Sequence, residues 1–175
     1  MQATDQIILE TQRLVLRKLT LNDTAFILEL LNSEGWIRFI GDRNVKNEEQ
    51  AKYYLENGPL KSYREHDFGL WKVDLKENGI PIGMCGLLQR PNLSEPDIGF
   101  ALLPSYTGKG YAFECAAAVL ELAFQSFHLE KLSAIVVPHN TASISLLEKL
   151  GFVFIKQFSF PNEQELLCLY HWHRK

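Results

Sequence analysis

Hydrophobic and polar positions change period several times along the chain. Arg13-Leu14-Val15-Leu16-Arg17 alternates, which predicts a first strand. Thr20 or Asn22 can cap a helix whose apolar stripe is Phe26, Ile27, Leu30 and Leu31. A second helical stretch covers about 48–64 and is interrupted near Gly58-Pro59. Residues 69–75 and 80–89 read as two strands around Lys76-Glu77-Asn78-Gly79, because Asn-Gly favours a tight hairpin. Asp97 to Leu103 is the next strand, and Pro104, lacking an N–H, ends it. Gly108-Lys109-Gly110 then opens a long helix to about Phe127. Its polar residues Glu114, Glu121 and Gln125 form one narrow stripe, which predicts a deeply packed helix. A strand follows at 131–137. Asn140 or Thr141 can cap a short helix carrying Ile144, Leu147 and Leu150, with Gly151 as a left-handed stop. Strands at about 152–158 and 165–171 close the chain. Strands first and last with helices between define an α+β, mixed-sheet layer fold. No repeat, low-complexity segment or linker interrupts residues 1–175, so a single domain is expected.

Composition narrows the classes. The 175 residues are 46% hydrophobic and 22% charged, as in ordinary globular chains. A formal charge of −3 argues against nonspecific nucleic-acid binding, which wants a basic face. No apolar run approaches the roughly 20 residues of a membrane span, and Met1 to Glu10 has no signal-peptide pattern. A cytoplasmic protein without membrane or nucleic-acid partners is expected. Cys85, Cys115 and Cys168 are scattered, with no CxxC pair, and read as core thiols. His171-Trp172-His173 places two histidines on one face of a strand, but no third ligand stands near, so no metal is expected.

The candidate chemistry lies in Ser105-Tyr106-Thr107-Gly108-Lys109-Gly110-Tyr111-Ala112. A strand there hands over to a helix N-terminus, where unpaired N–H groups and the helix dipole favour an anion. Glycines let backbone approach that anion, although a plain glycine turn explains the segment equally well. A P-loop fails because Gly110, not Ser or Thr, follows Lys109. A dinucleotide fingerprint is weak because Phe113 stands at the third glycine position. The second signal is Asn140-Thr141-Ala142-Ser143 with Lys149-Leu150-Gly151-Phe152. Taken alone, Asn140 is explained as a helix cap and Gly151 as a stop.

Together these segments resemble the GNAT acetyltransferase superfamily, and within it the branch of ribosomal-protein N-terminal acetyltransferases. Residues 10–17 resemble that branch's opening strand. Tyr106 to Ala112 resembles its coenzyme A pyrophosphate loop, and Asn140 to Ser143 followed by Leu150-Gly151-Phe152 its second coenzyme A segment. The matches fall in family order and cover about residues 10–170. The resemblance implies a three-layer fold with a central, mostly antiparallel sheet that splays into a V and is flanked by helices. Acetyl-CoA would enter the V as co-substrate. Backbone of Phe100, Ala101, Leu102 and Leu103 would pair with its pantetheine arm. Thr107, Gly108, Lys109, Gly110, Tyr111 and Ala112 would hold the diphosphate, and Asn140 and Ser143 would face the arm. Many members carry a Tyr four residues before the Gly-Phe pair as acid for the thiolate. Leu147 stands there instead.

The reaction implied is direct attack of a neutral amine on the thioester, in a ternary complex. An α-amine titrates at about 8, so a base would assist at neutral pH. Glu95 is the first candidate base, Asp97 the second and His139 the third. The tetrahedral oxyanion needs a donor near Phe100 or Ala101, and Ser143 is the candidate hydroxyl for the leaving thiolate. Trp36, Phe39 and Trp71 are candidates for the acceptor wall, Trp36 falling between two helices. The acceptor expected from the resemblance is a protein or peptide N-terminus, a ribosomal protein among the options. A small amine and a degenerate acyl-CoA binder remain the alternatives. Monomer and homodimer are both compatible with the sequence.

Overall fold

The computed structural model describes residues 6–174; Met1 to Asp5 and Lys175, the extremes of the expected single domain, lie outside the described residues. Among the described residues a single eight-stranded sheet runs in the order β1-β2-β3-β4-β5-β6-β8-β7. Its strands are β1 Ile7–Glu10, β2 Leu14–Arg17, β3 Leu70–Leu75, β4 Pro81–Leu88, β5 Asp97–Leu102, β6 Lys131–Val136, β7 Val153–Phe158 and β8 Leu167–His173. The helices are α1 Thr24–Leu31, α2 Glu34–Phe39, α3 Glu48–Asn57, α4 Pro59–His66, α5 Tyr111–Phe127 and α6 Thr141–Lys149. All neighbouring strands pair antiparallel except β5 and β6.

Alternation along β3 sorts the two faces of the sheet. Trp71, Val73 and Leu75 point into a core shared with Cys115, Ala116, Val119 and Ala123 of α5. Met84 on β4 and Leu103 join a second core with Phe26, Ile27, Leu30 and Leu31 of α1 and Ala51 and Leu55 of α3. Layers of helix, sheet and helix result. Thr20 does cap, but it caps a 3-10 turn at Leu21–Asp23 through a reciprocal bond pair with Asp23, and α1 continues from there. Asn47 caps α3 by accepting from the Gln50 N–H at 2.9 Å, and Pro59 starts α4 after the break at Gly58.

Two elements differ from expectation. Ile7–Glu10 forms an additional strand at the sheet edge, so the strand containing Leu14 is the second. Glu34–Phe39 is a short helix, so Trp36 sits within a helix instead of between two. The α5 helix buries one face, through Cys115, Ala116, Val119, Leu120 and Ala123, while Phe113 on its other side is exposed. A narrow polar stripe had implied burial almost all round; alanines at 117 and 118 are apolar yet need no cover. All three cysteines are buried and free.

Candidate functional site

The sheet opens between β5 and β6. These parallel strands share one register pair, Asp97 with Ser133, fastened by the Ser133 N–H donating to the Pro96 carbonyl at 2.8 Å. Beyond that point they part, while β5 stays zipped to β4 through Leu102 and β6 to β8 through Val136. The Leu103 N–H donates to the Ile82 carbonyl at 2.8 Å, on the β4 side. Pro96, of opposite parity, points its carbonyl at β6. Strand alternation therefore aims the backbone groups of Ile98, Phe100 and Leu102 into the gap and commits those of Ala101 and Leu103 to β4. Of the two oxyanion donors expected from sequence, Phe100 has the free edge.

Below the gap, Leu103 leads through a 3-10 turn at Pro104–Tyr106 into the glycine loop. Gly108 and Gly110 both adopt left-handed conformations, φ 72° and 83°, which glycine takes without strain. Glu114 is the first residue of α5 whose N–H finds a carbonyl in the preceding turn, that of Gly110 at 3.0 Å. The N–H groups of Tyr111, Ala112 and Phe113 precede it and have no helical partner. The loop is exposed, as an anion cradle must be. Lys109 lies along the Tyr106 ring, its Nζ 5.6 Å from the ring centre. Beside the first turn of α5, Phe113, Ser145, Leu146 and Lys149 line an open groove of about 420 Å³.

Across the gap, Asn140 accepts from the Ser143 N–H at 3.2 Å and caps α6. Ser143 is half-buried in that first turn, and its hydroxyl makes no hydrogen bond among the described residues. Leu147 is 2% exposed and belongs to the core, so this position offers no group to the gap. Phe39 of α2 packs on His139, with ring centres 5.6 Å apart, bridging α2 to the turn before α6.

The two carboxylates differ sharply. Glu95 is half-exposed in the loop before β5 and lies 3.3 Å from Lys131 Nζ. Asp97 is 2% exposed at the apex of the V, with Arg90 Nε donating to both its oxygens at 3.0 and 3.1 Å. Ile98 enters the α5-side core, so Asp97 faces the opposite, α1-side of the sheet. Burial pushes its pKa up to about 6, against the pull of the Arg90 charge and hydrogen bonds.

The aromatic expectations are corrected in part. Trp71 is 0% exposed in the core under α5 and has no surface for an acceptor. Trp36 is 5% exposed and packs in the α1–α3 core. Only Phe39 of the three keeps an open side. Sequence reading missed the Phe113–Lys149 groove and the pairing of Arg90 with Asp97. The single visible signal was Phe113 standing where a dinucleotide loop needs glycine. Among the described residues no group of three or more His, Cys, Asp or Glu could hold a metal ion, and no helix is long and apolar enough to cross a membrane.

Comparison with known proteins places this geometry. Residues 13–153 match the model of the acetyltransferase (GNAT) domain. An uncharacterized N-acetyltransferase of Bacillus subtilis, YoaA, is 30% identical over 160 residues, 89% of each chain. The crystal structure of an acetyltransferase from Agrobacterium tumefaciens superposes with a TM-score of 0.79 at 26% identity, covering 95% of this chain and 94% of that one. The Escherichia coli [ribosomal protein uS5]-alanine N-acetyltransferase is 26% identical over 118 residues, 67% of this chain and 54% of its own. The chain belongs to the GNAT acetyltransferase family. It is an acetyl-CoA-dependent N-acetyltransferase, with acetyl-CoA as co-substrate.

Proposed function

We propose that this enzyme acetylates the N-terminal α-amine of a protein or peptide, with acetyl-CoA lodged in the gap between β5 and β6. The observation that carries the donor half is the parting of those strands after one pair, with a glycine cradle below the opening. The Phe100 carbonyl and the Leu102 backbone groups pair with the pantetheine amides as an added strand would. The N–H groups from Gly108 to Ala112 hold the diphosphate at the start of α5, that of Thr107 being given to the Pro104 carbonyl at 3.3 Å. The adenosine end lies in the groove of Phe113 and Lys149, ring on ring and ammonium toward phosphate.

The acceptor amine approaches from the α1-side, the face of β5 that carries Asp97, Gly99 and Ala101. Asp97 replaces Glu95 as the favoured base. It faces that side at the apex, and a carboxyl titrating at about 6 accepts a proton at neutral pH more readily than an ordinary one. A water chain from the amine to Asp97 spans the strand length between them. As the amine attacks the thioester carbon, the Phe100 N–H stabilises the oxyanion. Collapse expels the coenzyme thiolate, which takes a hydrogen bond from Ser143. The kinship with the uS5-alanine enzyme supports an α-amine over a small-molecule amine.

The test is release of free coenzyme thiol with a crossed panel of acceptors. Peptides with free Ala, Ser or Met N-termini are set against the same peptides N-formylated, and against polyamines and aminoglycosides. Turnover confined to the free peptides supports the reading. Turnover with polyamines or aminoglycosides alone moves the enzyme to the small-amine class, and donor binding without any turnover makes it a binder.

A further inference from the structure

Arg13 comes from the β1–β2 turn, 101 positions before Glu114, yet it reaches the underside of the glycine loop. Its Nε donates to Glu114 Oε2 at 2.6 Å, and its Nη1 donates to the Lys109 carbonyl at 3.1 Å. The guanidinium lies over the Tyr111 ring, 4.4 Å from the centre. A Cβ on Gly110 would stand 3.3 Å from the Arg13 Nη2, a tight contact. Glu114 is in turn saturated on its other oxygen by the Thr11 hydroxyl at 2.6 Å and the Arg13 N–H at 2.9 Å. The edge of the sheet is thereby riveted to the first turn of α5 and to the loop before it.

Two consequences follow from elementary geometry and charge. In a trans peptide the C=O and the next N–H point opposite ways. Holding the Lys109 carbonyl against Arg13 therefore fixes the Gly110 N–H outward, on the side away from the sheet edge. Second, Glu114 carries a negative charge in the first turn of a helix whose N-terminus is to receive another anion. Arg13 neutralises that carboxylate and leaves the helix end free to attract phosphate.

We infer that Arg13 and Glu114 are a positioning pair for acetyl-CoA: Arg13 orients the Gly110 N–H toward the diphosphate and cancels the Glu114 charge behind it. The inference rests on the reading of Gly108 to Ala112 as the diphosphate cradle. Neither residue touches the thioester or the amine.

The test compares two donors, acetyl-CoA and S-acetylpantetheine, which lacks the diphosphate. Removing Arg13 leaves Glu114 unpaired beside the anion, so Arg13→Ala raises the KM for acetyl-CoA by about tenfold or more. Its kcat at saturating donor and its acceptor KM stay within about twofold. The double variant Arg13→Ala/Glu114→Gln recovers part of that loss, because the stranded charge is gone. Arg13→Lys, which keeps the charge but not the two-pronged geometry, falls between. With S-acetylpantetheine all variants match the wild type. A merely structural staple would lower the melting temperature and depress both donors alike. Equal effects on both donors, an unchanged KM for acetyl-CoA in Arg13→Ala or Arg13→Lys, or a double variant worse than the single one overturns the inference. If the wild type itself uses both donors with the same KM, the cradle reading fails first.

Discussion

At Asp97 folding and chemistry oppose each other. A buried carboxylate at the apex of the V is held by one arginine, and its pKa is pushed up to about 6 by desolvation. The folded chain therefore binds this proton more tightly than the unfolded chain does. The stability it contributes is complete below the ordinary carboxyl pKa of 3.8 and is lost as pH rises through about 6. At pH 7.5 Asp97→Asn should gain about 1–2 kcal/mol in denaturant unfolding, with Arg90 turning to solvent. The gain should shrink at pH 4.5. The same variant should lose the limb of the pH–rate profile that rises through about 6, and with it about 10²-fold in kcat. A destabilised variant with an unchanged profile would leave Asp97 a structural residue. Trp71 makes the opposite case, fully buried and with its Nε1 lacking a partner among the described residues. Trp71→Phe removes that orphan N–H and should leave both stability and acceptor KM nearly unchanged. Trp71→Ala should cost about 3–5 kcal/mol through the cavity alone.

The elements read from sequence best were those with a physical punctuation mark. Pro104 ends β5, Asn140 caps α6, and Gly58-Pro59 separates α3 from α4, each a residue with one strong local preference. The elements missed lack such marks. Ile7–Glu10 is four apolar or acidic residues, two of them exposed, and becomes a strand only because β2 offers an edge. Glu34–Phe39 is too short for a helical period to show, and Gly35 argues against it. Val153–Phe158, by contrast, falls within the strand expected at about 152–158, although nearly every residue of it is exposed. The glycine loop was legible as a loop, but its support was not, because nothing in spacing links Arg13 to Glu114. The loop itself makes a graded prediction. Gly108→Ala enters open space and carries only the left-handed strain, about 1–2 kcal/mol. Gly110→Ala carries the same strain and also presses a Cβ to 3.3 Å from Arg13 Nη2, which must give way. Calorimetry should find acetyl-CoA affinity weaker for Gly110→Ala than for Gly108→Ala. The reverse order would mean that the second glycine does not approach the ligand from the side assigned here.

On the scale of the whole molecule, the sheet is two zipped halves, β1 to β5 and β6 to β8 with β7, joined by one pair of residues. Each half has its own antiparallel ladder, and α5 runs back from the loop beneath the opening. The gap therefore belongs to the topology. The V was expected from the family resemblance; composition and periodicity alone led no further than a mixed sheet. The transfer reaction depends on this gap being a slot for the donor nucleotide. It is tested most directly by calorimetric titration of the purified enzyme with acetyl-CoA, with ATP and NAD as controls. One site of micromolar affinity for acetyl-CoA is expected, with no comparable binding of the other two. A well-folded sample that takes up no acetyl-CoA, or binds all three nucleotides alike, would contradict it.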